Sequence, residues 1–221
     1  MDRAGYGLIE TMRVREGRIA LLDRHLIRLE RSLRELGLPR PSQDVAALVA
    51  PFAGMDEAVL RVDVQGGRAS VTVRELPPLE PPVVITASER HQPYPHKTTE
   101  RDPFLDAAQE AEVADADDAL LLTREGWVAE GTVWTVFWWD GDALRTPALE
   151  LGILPGIGRA RLLQVAPRVE QGRYAETALA GKSLFLTNAV RGVVPIAMLD
   201  GASVPPDPRS AELARRFWPE G

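Results

Sequence analysis

Cysteine is absent from this sequence of 221 residues, and histidine is scarce. Without cysteine the chain can form no disulfide, no thiolate nucleophile and no Cys-ligated zinc or iron–sulfur site. The histidines number only three, His25, His91 and His96, which is too few for a histidine-rich metal site. We therefore expect no metal cofactor.

Lysine is almost absent as well. Lys and Arg total 26, yet the only lysines are Lys97 and Lys182, so the basic residues are nearly all arginine. An arginine-biased composition explains that ratio. Its consequence is that any chemistry requiring a side-chain primary amine has these two candidates.

Long apolar runs are missing too. No stretch approaches the roughly 20 residues of a membrane-spanning helix. The N-terminus MDRAGYGLIETMR has no basic segment followed by an apolar one, so we expect no secretion signal and a cytoplasmic protein. The net charge of −6 argues against a nucleic-acid or acidic-membrane partner.

What is present is typical of a globular protein, with 45% hydrophobic and 26% charged residues. Extended segments predict two hairpins, turned at Glu16-Gly17 and Gly66-Gly67. Between them the pattern predicts a helix from an Asp23 N-cap to Gly37 and a second helix over residues 43–52.

The second half predicts a helix over residues 104–114, then three or four strands with turns at residues 125–126 and 140–141. A loop running into a helix (LPGIGRARLLQVA), a strand–loop–strand segment (SLFLTNAVRGVVPIAML) and a C-terminal helix (SAELARRFW) follow. Strands and helices mix without regular alternation, so the sequence predicts an α/β (α+β) fold rather than a Rossmann or barrel order. The proline-rich HQPYPH places a boundary between residues 1–90 and 97–221, with 91–96 as an interdomain loop.

Candidate site residues stand out at two places. Lys97, in HKTTER beside the predicted boundary, is either a solvated surface lysine or an amine able to form a Schiff base. Gly156 and Gly158 in LPGIGRARLL give either a tight turn before a helix or a phosphate site on free backbone amides.

Two further candidates carry charge. Glu130 lies in the apolar VAEGTVWTVFW, as a turn carboxylate at a strand end or as a buried carboxylate that needs a partner. His25 and Arg28 are three residues apart and share one helix face, which is either exposed and polar or a phosphate clamp.

Taken in order, five segments resemble the class IV aminotransferases, the pyridoxal-phosphate enzymes of fold type IV. The segments are ETMRVREGRIALLDRHLIRLERSLRELGLP, HKTTER, LLLTREGWVAEGT, LPGIGRARLL and FLTNAVRGVVPI. The resemblance implies pyridoxal 5'-phosphate as the cofactor, a small α/β domain followed by a larger domain with a β pseudo-barrel, a homodimer and a small-molecule amino substrate. By position it implies Lys97 as the Schiff-base lysine, Glu130 at the pyridine nitrogen, Arg28 on the phosphate, and Ile157, Gly158, Asn188 and Ala189 around the phosphate.

Some positions differ from the common family pattern. Gly158 and Ala189 stand where many members have hydroxyl residues, Thr135 stands for an asparagine, and Asp102 stands five residues after the lysine, where aminotransferases often have tyrosine.

Within the family, HKTTER and LTNAVRGVVPI resemble 4-amino-4-deoxychorismate lyases most. That resemblance makes Arg101 and Arg191 candidates for the two substrate carboxylates, with a surface position as the alternative for Arg191, and Thr135 a further substrate-side candidate. A transaminase acting on branched-chain, D- or other amino acids shares every cofactor residue. A catalytically silent relative stays open as a third reading.

Overall fold

The structure is a computed structural model that describes residues 6–219. The chain divides into two compact units. The first runs to Pro78 and includes His96–Glu100, and the second comprises Leu79–Pro95 and the chain from Arg101 onward. Both units combine sheets with helices, which confirms the mixed α/β class.

The first unit is built on a four-stranded antiparallel sheet with strand order β2-β1-β3-β4. Its elements are β1 (Gly7–Arg15), β2 (Arg18–Ile19), α1 (Leu22–Leu36), α2 (Val45–Val49), β3 (Glu57–Gln65) and β4 (Arg68–Arg74). Both predicted hairpins are confirmed. Their turns contain Glu16-Gly17 and Gly66-Gly67, all four with positive φ, as tight two-residue hairpin turns require.

Helix α1 packs its apolar face on this sheet. Leu29 and Leu33 are buried in one cluster with Met12 and Val14 of β1. His25 and Arg28 lie on the same buried face of the helix, so the exposed polar face is the wrong alternative for these two residues.

The ends of the two helices test the predicted caps. Gly37 ends α1 in the left-handed conformation, as predicted. The predicted Asp23 N-cap is wrong, because the capping position is Leu21 and Asp23 lies in the first turn. The second helix is shorter than predicted and continues as a 3-10 turn over Ala50–Phe52.

The second unit contains two five-stranded sheets, in the orders β14-β13-β5-β6-β7 and β10-β9-β8-β11-β12. Its strands are β5 (Val83–Arg90), β6 (Asp118–Leu122), β7 (Val128–Gly131), β8 (Thr135–Asp140), β9 (Ala143–Pro147), β10 (Val169–Gly172), β11 (Ser183–Asn188), β12 (Gly192–Pro195), β13 (Met198–Leu199) and β14 (Ala202–Ser203). Its helices are α3 (Asp102–Val113), α4 (Ile157–Val165) and α5 (Pro208–Phe217).

One apolar core joins the two sheets of this unit. Val84, Leu120 and Val128 of the first sheet pack in one cluster with Trp138 and Leu184 of the second. Trp138 and Trp139 of β8 are both buried, whereas Trp127 and Trp134 are half-buried.

The predicted boundary between residues 90 and 97 differs from the division that the structure shows. Strand β5 pairs in parallel with β6, so residues 79–95 belong to the second unit. His96–Glu100 belong to the first unit, because the Ile9 amide donates to the Lys97 carbonyl and Thr98 bridges to Leu8. The proline-rich segment predicts the approximate position of the boundary. It does not predict that residues 79–95 belong to the second unit and residues 96–100 to the first.

Helix α3 begins two residues earlier than predicted, and β10 was not predicted at all. Within residues 6–219 no helix has the length and apolar character to cross a membrane. The expectation of no secretion signal rests in part on residues 1–5, which lie outside the described residues.

Candidate functional site

Lys97 lies in a short segment that is fixed to the edge of the first unit's sheet. Its carbonyl accepts a 2.8 Å hydrogen bond from the Ile9 amide, and the Thr99 amide donates to the Gly7 carbonyl at 2.9 Å. The Gly7 amide returns a bond to Thr99 Oγ1. These bonds hold the backbone of the segment around Lys97. The lysine itself is half-buried, so part of it is exposed.

A buried charged cluster of three residues, Glu10, His25 and Arg28, lies in the same unit. Arg28 donates from Nε to Glu10 Oε1 at 2.8 Å and from Nη2 to Oε2 at 2.6 Å. The Nδ1 atom of His25 lies 2.6 Å from Glu10 Oε2. No hydrogen bond described within residues 6–219 reaches the buried Nε2 of His25.

The pKa values in this cluster follow from burial and charge. Burial alone would raise the pKa of Glu10, but the charge of Arg28 and the hydrogen bond to His25 lower it to about 2. Burial lowers the pKa of His25, with further lowering from the charges of Arg28 and Lys97, against the opposing effect of Glu10. At neutral pH we therefore expect an ionised Glu10 and a neutral His25.

In the second unit, Glu130 is a buried carboxylate with two partners on one oxygen. His91 Nε2 lies 3.0 Å from Glu130 Oε1, and the Leu154 amide donates to the same Oε1 at 3.0 Å. None of the hydrogen bonds described for residues 6–219 ends on Oε2. Glu130 is thus the buried, partnered carboxylate rather than a solvated turn residue.

The N-terminus of α4 lies directly against the end of β11. A Cβ atom at position 158 would lie 2.7 Å from the carbonyl carbon of Asn188 and 2.9 Å from Thr187 Oγ1. Only glycine permits so close an approach. The structure therefore places Gly158, the second residue of α4, directly against Asn188 at the end of β11.

Two threonines that pair across strands lie beneath this helix start. Thr135 of β8 is directly opposite Thr187 of β11 in the antiparallel register. A Cβ at Gly156 would lie 3.2 Å from Thr135 Oγ1, as one at Gly158 would lie close to Thr187 Oγ1. The two glycines thus each face one threonine hydroxyl.

The candidate substrate arginines have partners inside the protein. Arg101 donates from Nη2 to the Thr132 carbonyl at 2.7 Å and stands over the Phe104 ring. Asp118, whose pKa is raised by burial, accepts from the Thr132 amide. Arg191 is half-buried, and its amide donates to Asn188 Oδ1 at 2.8 Å. Substrate binding by Arg101, Arg191 and Thr135 stays a prediction.

Each unit, taken by itself, holds groups that suit a phosphorylated aldehyde cofactor such as pyridoxal phosphate. The first amides of a helix have no intrahelical acceptor, and the glycines at the start of α4 leave room for an anion beside them. Lys97 supplies an amine, and Glu130 has a carboxylate oxygen to spare for a ring N–H. Within the part of the chain that the structure describes, no His, Asp and Glu side chains cluster as a metal site would require.

Sequence reasoning missed three participants: Glu10, His91 and Thr187. A buried carboxylate needs a cationic or hydrogen-bonding partner, but the sequence does not indicate that His91 is the one that approaches Glu130. Glu10 belongs to the alternating pattern of β1 and carries no local signal. Arg159 lies in the first turn of α4, but its guanidinium donates within the protein, to the Pro147 carbonyl and to Gln171 Oε1.

Comparison with known proteins identifies the family of this chain. Residues 7–199 match the family described as amino-transferase class IV. An aminodeoxychorismate lyase of Bacillus subtilis is 26% identical, over 89% of this chain and 78% of the relative.

Solved structures show the same fold. A branched-chain aminotransferase from Thermoproteus uzoniensis superposes with a TM-score of 0.84 at 25% identity, covering 96% of this chain and 84% of the other. The PLP-bound form of a hypothetical aminotransferase from Mycobacterium tuberculosis gives a TM-score of 0.85 at 23% identity, with coverage of 96% and 87%. The fold of this chain is that of the fold type IV enzymes, and the chain belongs to the class IV aminotransferases, a family of enzymes that depend on pyridoxal phosphate.

Proposed function

We propose that this enzyme converts 4-amino-4-deoxychorismate to 4-aminobenzoate and pyruvate, a reaction of folate biosynthesis. The observation that carries the proposal is the similarity to the Bacillus subtilis lyase, which extends over 89% of this chain rather than over one motif. The reaction balances without a redox partner. The ring carbon bearing the amine loses its proton, the C–O bond to the enolpyruvyl group breaks, and the departing enolate takes up a proton to become pyruvate.

Lys97 has the central role in this proposal. Its amine would hold the cofactor aldehyde and, when free, would accept the proton from the ring carbon. The bound cofactor supplies an electron sink for the negative charge left on that carbon. The backbone bond between Ile9 and Lys97 keeps the lysine in register with β1.

Glu130 would keep the ring nitrogen of the cofactor protonated. Its Oε1 is already occupied by His91 and the Leu154 amide, so Oε2 is the oxygen that accepts from the ring N–H. His91 and Leu154 act as positioning groups because they fix the plane of the carboxylate.

The phosphate would be held by the backbone amides of Ile157 and Gly158 and by Arg28. Arg28 donates hydrogen bonds from Nε and Nη2 to Glu10, so Nη1 would be the atom that donates to the phosphate. Asn188 and Ala189 would lie beside the phosphate, in a turn held by hydrogen bonds from the amides of Val190 and Arg191 to Asn188 Oδ1. Fixed donors of this kind bind a dianion without reorganising.

Aminotransferase activity is the second candidate, since the relatives include a branched-chain aminotransferase. One feature favours the lyase. Asp102, the first residue of α3, stands where aminotransferases often have a tyrosine. Arg101, Arg191 and Thr135 are the proposed substrate-side groups for either activity.

We also propose that the enzyme is a cytoplasmic homodimer, with a small N-terminal domain and a larger C-terminal one. Single apolar side chains remain exposed on helices of both units, namely Ile27 on α1 and Leu105 and Val113 on α3. Sedimentation of the purified enzyme measures the oligomeric state directly.

The test of the function uses purified enzyme loaded with pyridoxal phosphate and supplied with 4-amino-4-deoxychorismate. We expect equal amounts of 4-aminobenzoate and pyruvate. Lys97→Ala should abolish this release, while Lys182→Ala should retain it, because the Lys182 side chain is engaged by Asp140 in a partly exposed ion pair.

A second measurement separates the two activities. The loaded enzyme is mixed with single amino acids, without a keto acid, and its absorbance is followed. A lyase should keep the band of the aldehyde form. Loss of that band, with keto acid formed and no 4-aminobenzoate from aminodeoxychorismate, would establish the aminotransferase instead.

A further inference from the structure

Thr187 presents a buried hydroxyl with no partner. It lies at the end of β11 with 1% of its surface exposed. Its Oγ1 is fully buried, and no hydrogen bond described for residues 6–219 reaches it. Native proteins rarely leave a buried hydroxyl in that state, because it has lost its water without gaining a partner. A bound ligand or an ordered water would satisfy such a group.

The hydroxyl faces the start of α4. The position a Cβ of residue 158 would take lies 2.9 Å from Thr187 Oγ1. The first amides of this nine-residue helix have no intrahelical acceptor. An unpartnered donor and a set of free amides therefore converge on one place.

Another buried threonine of the same sheet, two strands away, shows the contrast. Thr146 of β9 is equally buried, but its Oγ1 donates to the Val136 carbonyl at 3.0 Å. A buried threonine in this sheet can thus be satisfied by backbone, and Thr187 is not.

We propose that the Thr187 hydroxyl donates a hydrogen bond to the phosphate of the cofactor, beside the amides of Ile157 and Gly158. The inference rests on the proposed placement of the phosphate at the start of α4. Gly158 and Ala189 carry no hydroxyl, so side-chain donation must come from another residue. Because Gly158 has no side chain, nothing at that position separates Thr187 from the start of the helix. The two residues therefore act together in the proposed contact.

The test compares pyridoxal phosphate with pyridoxal, which has the aldehyde but no phosphate. Apo enzyme is titrated with each, and dissociation constants are measured from absorbance. Thr187→Val should weaken pyridoxal phosphate binding about tenfold and leave pyridoxal binding unchanged, since a charge-assisted hydrogen bond is lost. Thr187→Ser should restore most of the affinity.

Stability of the apo enzyme supplies a readout that does not involve the cofactor. Thr187→Val should leave the urea midpoint unchanged or raise it, because the hydroxyl it removes has no partner in the protein. Thr146→Val, the matched control, should lower the midpoint and keep the wild-type ratio of the two dissociation constants.

The proposal is overturned if Thr187→Val binds pyridoxal phosphate as the wild type does, or weakens both ligands equally. It is also overturned if the apo variant loses as much stability as Thr146→Val. Failure of the lyase proposal looks different: wild-type enzyme would bind pyridoxal phosphate tightly and release no 4-aminobenzoate, with the Thr187 effect intact. Wild-type protein that bound neither ligand would overturn both.

Discussion

Glu10 and Arg28 form a two-pronged ion pair inside the first unit, with Nε to Oε1 at 2.8 Å and Nη2 to Oε2 at 2.6 Å. Both side chains are buried. Because the pair fixes the guanidinium in one plane, it sets the direction of the remaining nitrogen, Nη1. The proposed phosphate contact of Arg28 therefore depends on a residue of a different element, β1.

Replacing Glu10 by Gln should destabilise the enzyme by about 3–5 kcal/mol, because it leaves the Arg28 charge buried without its counter-ion. Urea unfolding of the apo enzyme measures the loss. Asp63→Asn is the matched control, since Asp63 binds Arg61 through both oxygens in a partly exposed pair and should cost under about 1 kcal/mol. Equal losses for the two variants would contradict the buried-pair interpretation.

Stability should fall as the pH is lowered. The pKa of Glu10 is about 2 in the folded chain against 4.5 ordinarily, and the pKa of His25 is also lowered. The unfolded chain therefore binds more protons, so the stability is present above the ordinary pKa values and is lost below them. For Glu10 the full shift corresponds to about 3 kcal/mol.

Urea unfolding between pH 7 and pH 2 measures this dependence. His25, which faces Glu10, Arg28 and the charge of Lys97, should contribute below about pH 6.5, and Glu10 below about pH 4.5. Glu10→Gln should flatten the lower part of the curve. A variant curve parallel to the wild type below pH 4.5 would exclude Glu10 as the source.

Removing the His91 donor should weaken cofactor binding. His91→Phe leaves Glu130 Oε1 with the Leu154 amide alone. The loss of one hydrogen bond to a charged group predicts a dissociation constant for pyridoxal phosphate about tenfold higher. His91→Gln keeps an amide donor and should recover part of the affinity. If both variants bind as the wild type does, His91 does not position Glu130.

Adding one methyl group at the start of α4 should be costly. In Gly158→Ala the new Cβ would meet the Asn188 backbone at 2.7 Å, so the helix start must move. We expect a loss of about 1–3 kcal/mol in unfolding free energy and weaker pyridoxal phosphate binding. Gly54→Ala is the control, because its Cβ would meet nothing within 4 Å. Similar unfolding curves for the two variants would contradict the close packing.

Local signals predicted the hairpins and the end of α1, because positive-φ glycines and amphipathic spacing act within a few residues. They did not predict the exchange of chain between the units. The parallel pairing of β5 with β6 and the bond from Ile9 to Lys97 join residues distant in sequence. The Asp23 cap failed for a related reason: Leu21 adopts the left-handed conformation that turns the chain from β2 into α1.

In the candidate site, too, local sequence indicated some residues, and contacts between distant residues determined the others. Lys97, Glu130 and the glycines before α4 were visible as motifs, because their residue types are constrained by chemistry. The partners were not visible: His91 reaches Glu130, and Thr187 reaches α4, only through tertiary packing. Nor could the sequence indicate that Arg101 is held by the Thr132 carbonyl.

The central claim is that Lys97 carries the cofactor covalently. Borohydride reduction of the loaded enzyme, followed by peptide mapping with mass spectrometry, tests it most directly, since the chain has only one other lysine, Lys182. The account predicts a pyridoxyl adduct on the peptide containing Lys97 and an unmodified Lys182. An adduct at Lys182, or none on either lysine, would contradict it.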